Sequence, residues 1–327
     1  MSILRRRDFL KVLGSLSAAQ AFGMGPLGKE GSSEDPLKVF KLGCISDEFT
    51  QNFEQALQAM KHFGLSWVEI RTLWGVYNTD ATPQQVREIR RLLDRYRFKV
   101  SMIDTGVFKC TLPGTRPIAG EKHDYTAANQ YSKQYDVLKR AIERAHQLGT
   151  DKIRVFSFWR VANPEAHYSR IADDLSKASE IAGKSGVRVL LENESACNVG
   201  TGHESAKMLA RVPSSNFGAN WDVGNGYWLG EISYPDGYDA LPRNRIWHVH
   251  FKDVHCNPGF KGCHTTIVGQ GQIDLVGQVR ALLRNNYQGT MSLEPEFHTK
   301  SISSMEGTKR SVAGLLKIIR RALAKGA

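Results

Sequence analysis

Long apolar runs are missing from this chain, as are paired cysteines at metal spacing, glycine-rich phosphate loops and extended basic tracts. The 327 residues hold five cysteines, Cys44, Cys110, Cys197, Cys256 and Cys263, none in a C-x-x-C pair, which excludes the usual structural zinc sites. The formal charge is +11, yet no basic run exceeds three residues and aromatic and basic residues do not interleave. Nucleic acid is therefore not an expected partner, although the balance suits an anionic one. No G-x-G-x-x-G turn follows the first strand-like run: Gly43-Cys44-Ile45-Ser46-Asp47 does not fit, and Gly269-Gln270-Gly271 is only G-x-G after a loop. That counts against a doubly wound dinucleotide-binding sheet.

The N-terminus has the build of an export signal. Arg5-Arg6-Arg7-Asp8-Phe9-Leu10-Lys11 precedes a mildly apolar stretch from Val12 to Ala21 that closes on Ala19-Gln20-Ala21. The apolar part is too short to span a bilayer. Twin arginines followed by Phe-Leu-Lys resemble the twin-arginine signal, with Arg5 where Ser or Thr is usual. The expectation is export through the Tat machinery, in folded form, to the periplasm or beyond, with residues 1–35 as signal and linker and 36–327 as one domain. Cys256 and Cys263 share a Gly/Pro-containing loop and could pair after export, but spacing does not decide it.

From Val39 the chain alternates strand-like and helix-like runs eight times. The strands are expected at Phe40–Ile45, Trp67–Arg71, Lys99–Asp104, Lys152–Phe158, Arg188–Asn193, Phe217–Asp222, Ile246–Lys252 and Met291–Glu294. Helices are expected at Asn52–Phe63, Pro83–Tyr96, Ala127–Leu148, Pro164–Gly183, Glu204–Arg211, Leu275–Asn285 and Ser304–Ala324, with at most a short one near Asp239. Eight such units without a second composition zone predict a (β/α)8 TIM barrel.

Trp247-His248-Val249-His250-Phe251-Lys252-Asp253 is the most informative stretch. Its period-two alternation puts His248, His250 and Lys252 on one face and Trp247, Val249 and Phe251 on the other. Three further strands end in carboxylates: Glu192, Asp222 and Glu294. In a barrel the chemistry sits at the C-terminal strand ends, so Glu192, Asp222, His250 and Glu294 converge from four neighbouring strands. Three oxygens and one nitrogen make a site for one divalent metal, Mn2+ first, with Co2+, Zn2+ or Mg2+ as alternatives.

Together these motifs resemble the sugar phosphate isomerase/epimerase-like barrels, the xylose isomerase-like superfamily that also holds inosose dehydratases and type 2 AP endonucleases. The likeness rests on Leu190-Leu191-Glu192-Asn193, Trp221-Asp222-Val223-Gly224-Asn225, His248 to Asp253, Val268 to Asp274 and Gly289 to Glu294, and covers roughly residues 38–325. It implies that the four residues hold the metal and that Glu192 and Glu294 are also the acid/base pair. The implied activity is isomerisation or epimerisation of a sugar by proton abstraction next to a carbonyl, through an enediolate. The alternative is a lyase or dehydratase acting on a keto-sugar or keto-inositol, as in inosose dehydratases; a sugar-binding protein without chemistry ranks third. Ketose 3-epimerases carry Glu, His and Arg where this chain has Asn198, Asn225 and Cys256, which counts against epimerisation of a free ketose. The extra ligands of three-zinc endonucleases are absent from Ile70-Arg71-Thr72, Ile103-Asp104-Thr105 and Phe156-Ser157-Phe158.

Other residues are weighed as substrate contacts: His248, Lys252, Asn225, Glu69, Arg71, Trp74 and Glu296. Each has a plainer alternative. His248 could be a packed donor behind the metal, Lys252 a salt-bridge partner, Glu69 and Arg71 a rim ion pair, and Trp74 or Trp228 ordinary core. A small-molecule sugar or keto-sugar is the expected partner, and a homodimer is compatible with the sequence.

Overall fold

The computed structural model describes residues 35–118 and 130–324, in which eight parallel strands run in a ring. They are β1 (Lys41–Cys44), β2 (Trp67–Ile70), β3 (Lys99–Ile103), β4 (Lys152–Val155), β5 (Arg188–Glu192), β6 (Phe217–Asp222), β7 (Ile246–Phe251) and β8 (Thr290–Leu293). Each strand pairs with its sequence neighbour, β8 pairs back onto β1, and a parallel bridge between Ile45 and Glu69 joins β1 to β2. The result is the closed barrel expected from the alternation. The export segment lies outside the described residues; among those described, no helix is long and apolar enough to cross a membrane.

The outer layer consists of α1 (Phe53–His62), α2 (Pro83–Tyr96), α3 (Gln134–Leu148), α4 (Tyr168–Gly183), α5 (Gly202–Arg211), α6 (Leu275–Arg284) and α7 (Ser304–Leu323). Local chemistry sets where several of them begin. Thr82 and Gln85 form a reciprocal capping box at the start of α2, with Pro83 in the first turn, which satisfies backbone donors that the helix itself cannot. Asn52, Thr201, Asp274 and Ser303 cap four other helices. Between β6 and β7 the chain makes only short helical turns, including Tyr238–Ala240.

Several boundaries differ from expectation; the helix expected from Pro164, for one, is α-helical only from Tyr168, behind a 3-10 turn at Pro164–His167. The fourth strand ends at Val155, not Phe158, because the N–H groups of Phe156, Phe158 and Trp159 donate to the carbonyls of Val107, Phe108 and Cys110 in the loop after β3. The third long helix has a described α-helical part of Gln134–Leu148, preceded by a 3-10 turn; residues 127–129 lie outside the described residues. Past β7, Asp253–Asn257 and Lys261–Thr266 form an antiparallel hairpin in which Cys256 and Cys263 are disulfide-bonded.

Alternation along β7 sorts the interior from the core. Val249 and Phe251 join the apolar layer between ring and helices, whereas His248 and His250 pair with charged residues inside the ring. The ring is filled by polar groups: Glu69, Asp104, Arg154, Glu192, Asp222, His248, His250 and Glu294 are all buried. Charged groups are seldom buried unless paired. An interior of this composition is therefore a site and not a packing core.

Candidate functional site

Glu192 and Asp222 are the last residues of β5 and β6, His250 is the penultimate residue of β7, and Glu294 follows β8 directly. One ligand atom from each lies within 4.8 Å of the others, and all four residues are buried. His250 Nδ1 is 3.1 Å from Glu294 Oε2, 3.5 Å from Glu192 Oε1 and 4.0 Å from Asp222 Oδ2. Asp222 Oδ1 takes hydrogen bonds of 2.8 Å from the amides of Gly224 and Asn225, while its Oδ2 accepts none. One carboxylate oxygen is thus fixed by the backbone and the other is directed at the cluster. A hard or borderline divalent cation fits this donor set.

Behind the cluster, both oxygens of Glu69 are engaged. Oε1 is 3.0 Å from His250 Nε2 and Oε2 is 2.9 Å from His248 Nε2, while His248 Nδ1 contacts Thr290 Oγ1 at 2.6 Å. A carboxylate behind a ligating histidine fixes its tautomer and its orientation, leaving His250 Nδ1 to face the site. For Glu69 and His248 the geometry favours support behind the metal over substrate contact. Both are fully buried beneath His250, and Glu69 is occupied by the two imidazoles.

Three cations thread the carboxylates. Arg71 binds Glu294 Oε1 at 2.7 Å, Glu48 Oε1 at 2.6 Å and Asp47 Oδ2 at 3.0 Å. Arg154 places Nη1 2.9 Å from Glu192 Oε2 and 3.1 Å from Asp104 Oδ2. Lys252 Nζ is 3.3 Å from Asp222, 3.2 Å from Glu294 and 2.8 Å from Glu296. Gly224 makes room for that lysine, since a Cβ there would meet Lys252 Cγ at 2.4 Å. Asn225 joins the set, donating to the Asn193 carbonyl at 2.8 Å and accepting from Lys252 Nζ at 3.4 Å.

Electrostatics follow from burial against pairing. Burial pushes the Asp222 carboxyl up; with Glu294 and Glu192 adding to it against Lys252, it reaches about 7. Burial opposes charge on Glu294 too, yet Lys252, His250 and Arg71 hold it well below the usual range. Lys252 is disfavoured by burial but raised well above its ordinary value by Asp222, Glu294, Glu296 and Glu192. It is a fixed cation at neutral pH.

The remaining expected contacts separate by place. Arg71, Lys252, Asn225 and Glu296 are at the mouth. Trp74 is not shown as a sugar wall: it packs edge-on against Phe53 with ring centroids 6.2 Å apart. Trp228 is partly exposed. Asn198 donates to the Ser157, Phe158 and Trp159 carbonyls and accepts from the Val161 amide, so it staples the loop after β4. Cys256 is committed to the hairpin disulfide.

Glu48, Asp104, Arg154, Lys109 and Glu194 were not anticipated. Alternation did carry a signal for Arg154, two residues after Lys152 on one strand, although a lone arginine in an apolar strand does not announce its partners. Lys109 Nζ meets Glu194 Oε2 at 2.9 Å, and the Ala196 amide donates to Glu194 Oε1 at 3.0 Å. Burial pushes the Glu194 carboxyl up, but Lys109 and the amide outweigh it and hold it at about 2. Its folded value lies below the unfolded one, so the stabilisation is full above the unfolded value of 4.5 and fades as pH falls towards 2. Lys109→Met is expected to cost roughly 2–3 kcal/mol at neutral pH, the gap to the native protein narrowing as the pH drops below about 4.5. Urea denaturation at stepped pH measures it; a gap independent of pH would contradict the assignment.

Comparisons with known proteins bear on most of the chain. A family model described as the xylose isomerase-like TIM barrel matches residues 57–318. An inosose dehydratase of Clostridium beijerinckii is 22% identical over 281 residues, covering 80% of this chain and 89% of that protein. Among solved structures, the IolI protein with a bound zinc atom matches with a TM-score of 0.68 at 18% identity, over 86% of this chain and 99% of that one. The probable 3-DHS dehydratase AsbF of Bacillus anthracis matches with a TM-score of 0.64 at 16% identity, over 86% and 98%. The structural likenesses speak for the fold, and the family model spans most of the barrel, from α1 to α7. The chain belongs to the xylose isomerase-like TIM barrel family.

Proposed function

We propose that this chain is a metal-dependent lyase that removes water from a cyclic polyhydroxy ketone such as a keto-inositol. The observation that carries it is Lys252, a buried cation held among Asp222, Glu294 and Glu296 at the mouth of the site. Epimerisation needs a proton taken from a carbon and returned to it. Elimination also needs something to hold the departing oxygen, and a fixed ammonium does that. The match to relatives named inosose dehydratase over most of their length supports the same choice. The balance thus moves from the isomerase or epimerase reading to its alternative.

A divalent cation held by Glu192, Asp222, His250 and Glu294 would polarise the substrate carbonyl and acidify the C–H beside it; Mn2+ remains our proposal for its identity. The chain's own groups do the rest. Glu192 and Glu294, from β5 and β8, flank Asp222 and His250, so either can take the proton next to the carbonyl. The electron pair of that C–H bond forms the new C=C as the C–O bond on the next carbon breaks. The leaving hydroxide takes the proton from the carboxylate, and water departs with no oxidant or reductant consumed. Lys252 donates a hydrogen bond to the leaving oxygen while keeping its proton, as its carboxylate surroundings require. Arg71 positions Glu294 against Glu48.

Incubation of the Mn2+-loaded protein with 2-keto-myo-inositol tests this. The expected result is a product lighter by one water, with ultraviolet absorbance from the new conjugated carbonyl. Deuterium uptake with an epimer and no water loss would overturn the lyase assignment in favour of epimerisation. For residues 1–35 we propose export by the twin-arginine route to the periplasm; fractionation of the native chain and of an Arg6→Lys, Arg7→Lys variant tests it.

A further inference from the structure

The barrel has a concavity at the end opposite the site described above. A cavity of about 500 Å3 lies where the strands begin. It is lined by Lys41, Lys152 and Arg188, the first residues of β1, β4 and β5, with Arg243 and the rings of Trp67 and Trp247. At about 3.3 Å per residue, the four steps from Arg188 to Glu192 put it roughly 13 Å from the site described above. None of the residues lining it is a carboxylate.

The charges at this floor do not balance. Asp151 is the carboxylate that serves both Lys152, at 3.3 Å, and Arg188, at 2.6 Å. Lys41 Nζ donates to the Gln288 carbonyl at 3.0 Å, a neutral partner. Arg243 is paired with Asp239 at 2.7 Å, so the other three cations against Asp151 leave a net charge of two. Lys152 is nearly buried and its ammonium is pushed down, first by burial and then, against Asp151, by Arg188 and Lys41. Arg188 lies over the Trp247 ring at 5.0 Å, which fixes its plane and lowers the local dielectric. Cations gathered in a concavity with apolar walls concentrate counter-ions strongly.

We propose that this basal cavity is a binding site for a compact dianion, a phosphate or a small dicarboxylate, held by Lys41, Lys152 and Arg188. The site is separate from the catalytic mouth, so it does not rest on the lyase assignment. Two negative charges match the local excess. The guanidinium offers planar paired donors suited to an oxyanion, and the two ammonium groups have further protons to give.

Equilibrium dialysis with inorganic phosphate, at low ionic strength and pH 7.5, tests the assignment, with malonate as competitor. The full chain is expected to bind about one phosphate saturably. Lys41→Glu and Arg188→Gln should each weaken binding at least tenfold. Lys41 is exposed, so its variant keeps the test valid should Arg188→Gln disturb Asp151. Lys317→Glu, an exposed reversal of equal charge on α7, and Lys252→Gln, at the catalytic mouth, should each leave binding within twofold. Displacement by malonate supports the shared dianion chemistry, and phosphate bound without displacement narrows the ligand to phosphate. Absence of saturable binding overturns the proposal. So does equal weakening by Lys317→Glu, which would mean diffuse charge, or loss in a Lys252→Gln protein whose thermal melt shows it folded, which would place the ion at the other end.

Discussion

Glu294→Gln is expected to lower kcat/KM by about three orders of magnitude or more, within the range of general acid–base and metal-site losses. Glu294 meets three charged partners at once: Arg71 at 2.7 Å, His250 Nδ1 at 3.1 Å and Lys252 at 3.2 Å. The amide keeps the volume but loses the charge, so it cannot accept the carbon-bound proton and is a poorer ligand. It also strips one counter-charge from Lys252, which keeps Asp222 and Glu296. Steady-state kinetics beside a thermal melt separates the effects. A folded variant with near-native turnover would remove Glu294 from the chemistry.

Arg154→Met is expected to destabilise the metal-free protein by about 3–5 kcal/mol, the usual cost of removing one partner from a buried ion pair. Its guanidinium lies between Asp104 and Glu192, and all three side chains are at most 3% exposed. Without it two carboxylates face each other in a closed interior. Burial, with Glu69 adding to it, already pushes Asp104 well above its ordinary value despite Arg154. Adding Asp104→Asn should therefore restore part of the loss. Denaturant melts of both single variants and the double variant measure the coupling; a strictly additive double variant would contradict the network.

Much of this site could be read before any fold was in hand, for a specific reason. Period two on a strand is rigid, so His250 and Lys252 had to share a face once β7 was assigned. The barrel's polarity then placed Glu192, Asp222 and Glu294 at the same end. Helix boundaries followed from capping: Thr82 and Pro83 marked α2 to the residue. What sequence could not supply was depth. Glu69 and Arg71 are two apart and looked equivalent, yet Glu69 lies below His250 and Arg71 reaches Glu294. Depth depends on the stagger of strands around the ring, which no local pattern reports. Alternation places Arg154 on the inward face, but nothing local names Asp104 as its partner, since the two meet only across neighbouring strands. Spacing alone does not pair Cys256 with Cys263, because hairpin register brings them together.

The isomerase reading leaned on two opposed carboxylates, which elimination and epimerisation share. The difference lies in what surrounds them, and here Lys252 stands between Asp222, Glu294 and Glu296. Positions where free-ketose epimerases carry substrate-gripping side chains hold Asn198, a loop staple, and Cys256, half of a disulfide. Those departures support the proposed cyclic keto substrate over a free ketose.

Metal content is the measurement that tests the central claim most directly. The native protein, loaded with Mn2+ and desalted, is compared with an Asp222→Ala, His250→Ala variant by elemental analysis and titration calorimetry. About one ion per chain in the native protein, and almost none in a variant that still folds, is the predicted result. A native protein that is metal-free and refuses added Mn2+, Zn2+ and Co2+ would contradict it, leaving four converging side chains without the ion their arrangement implies.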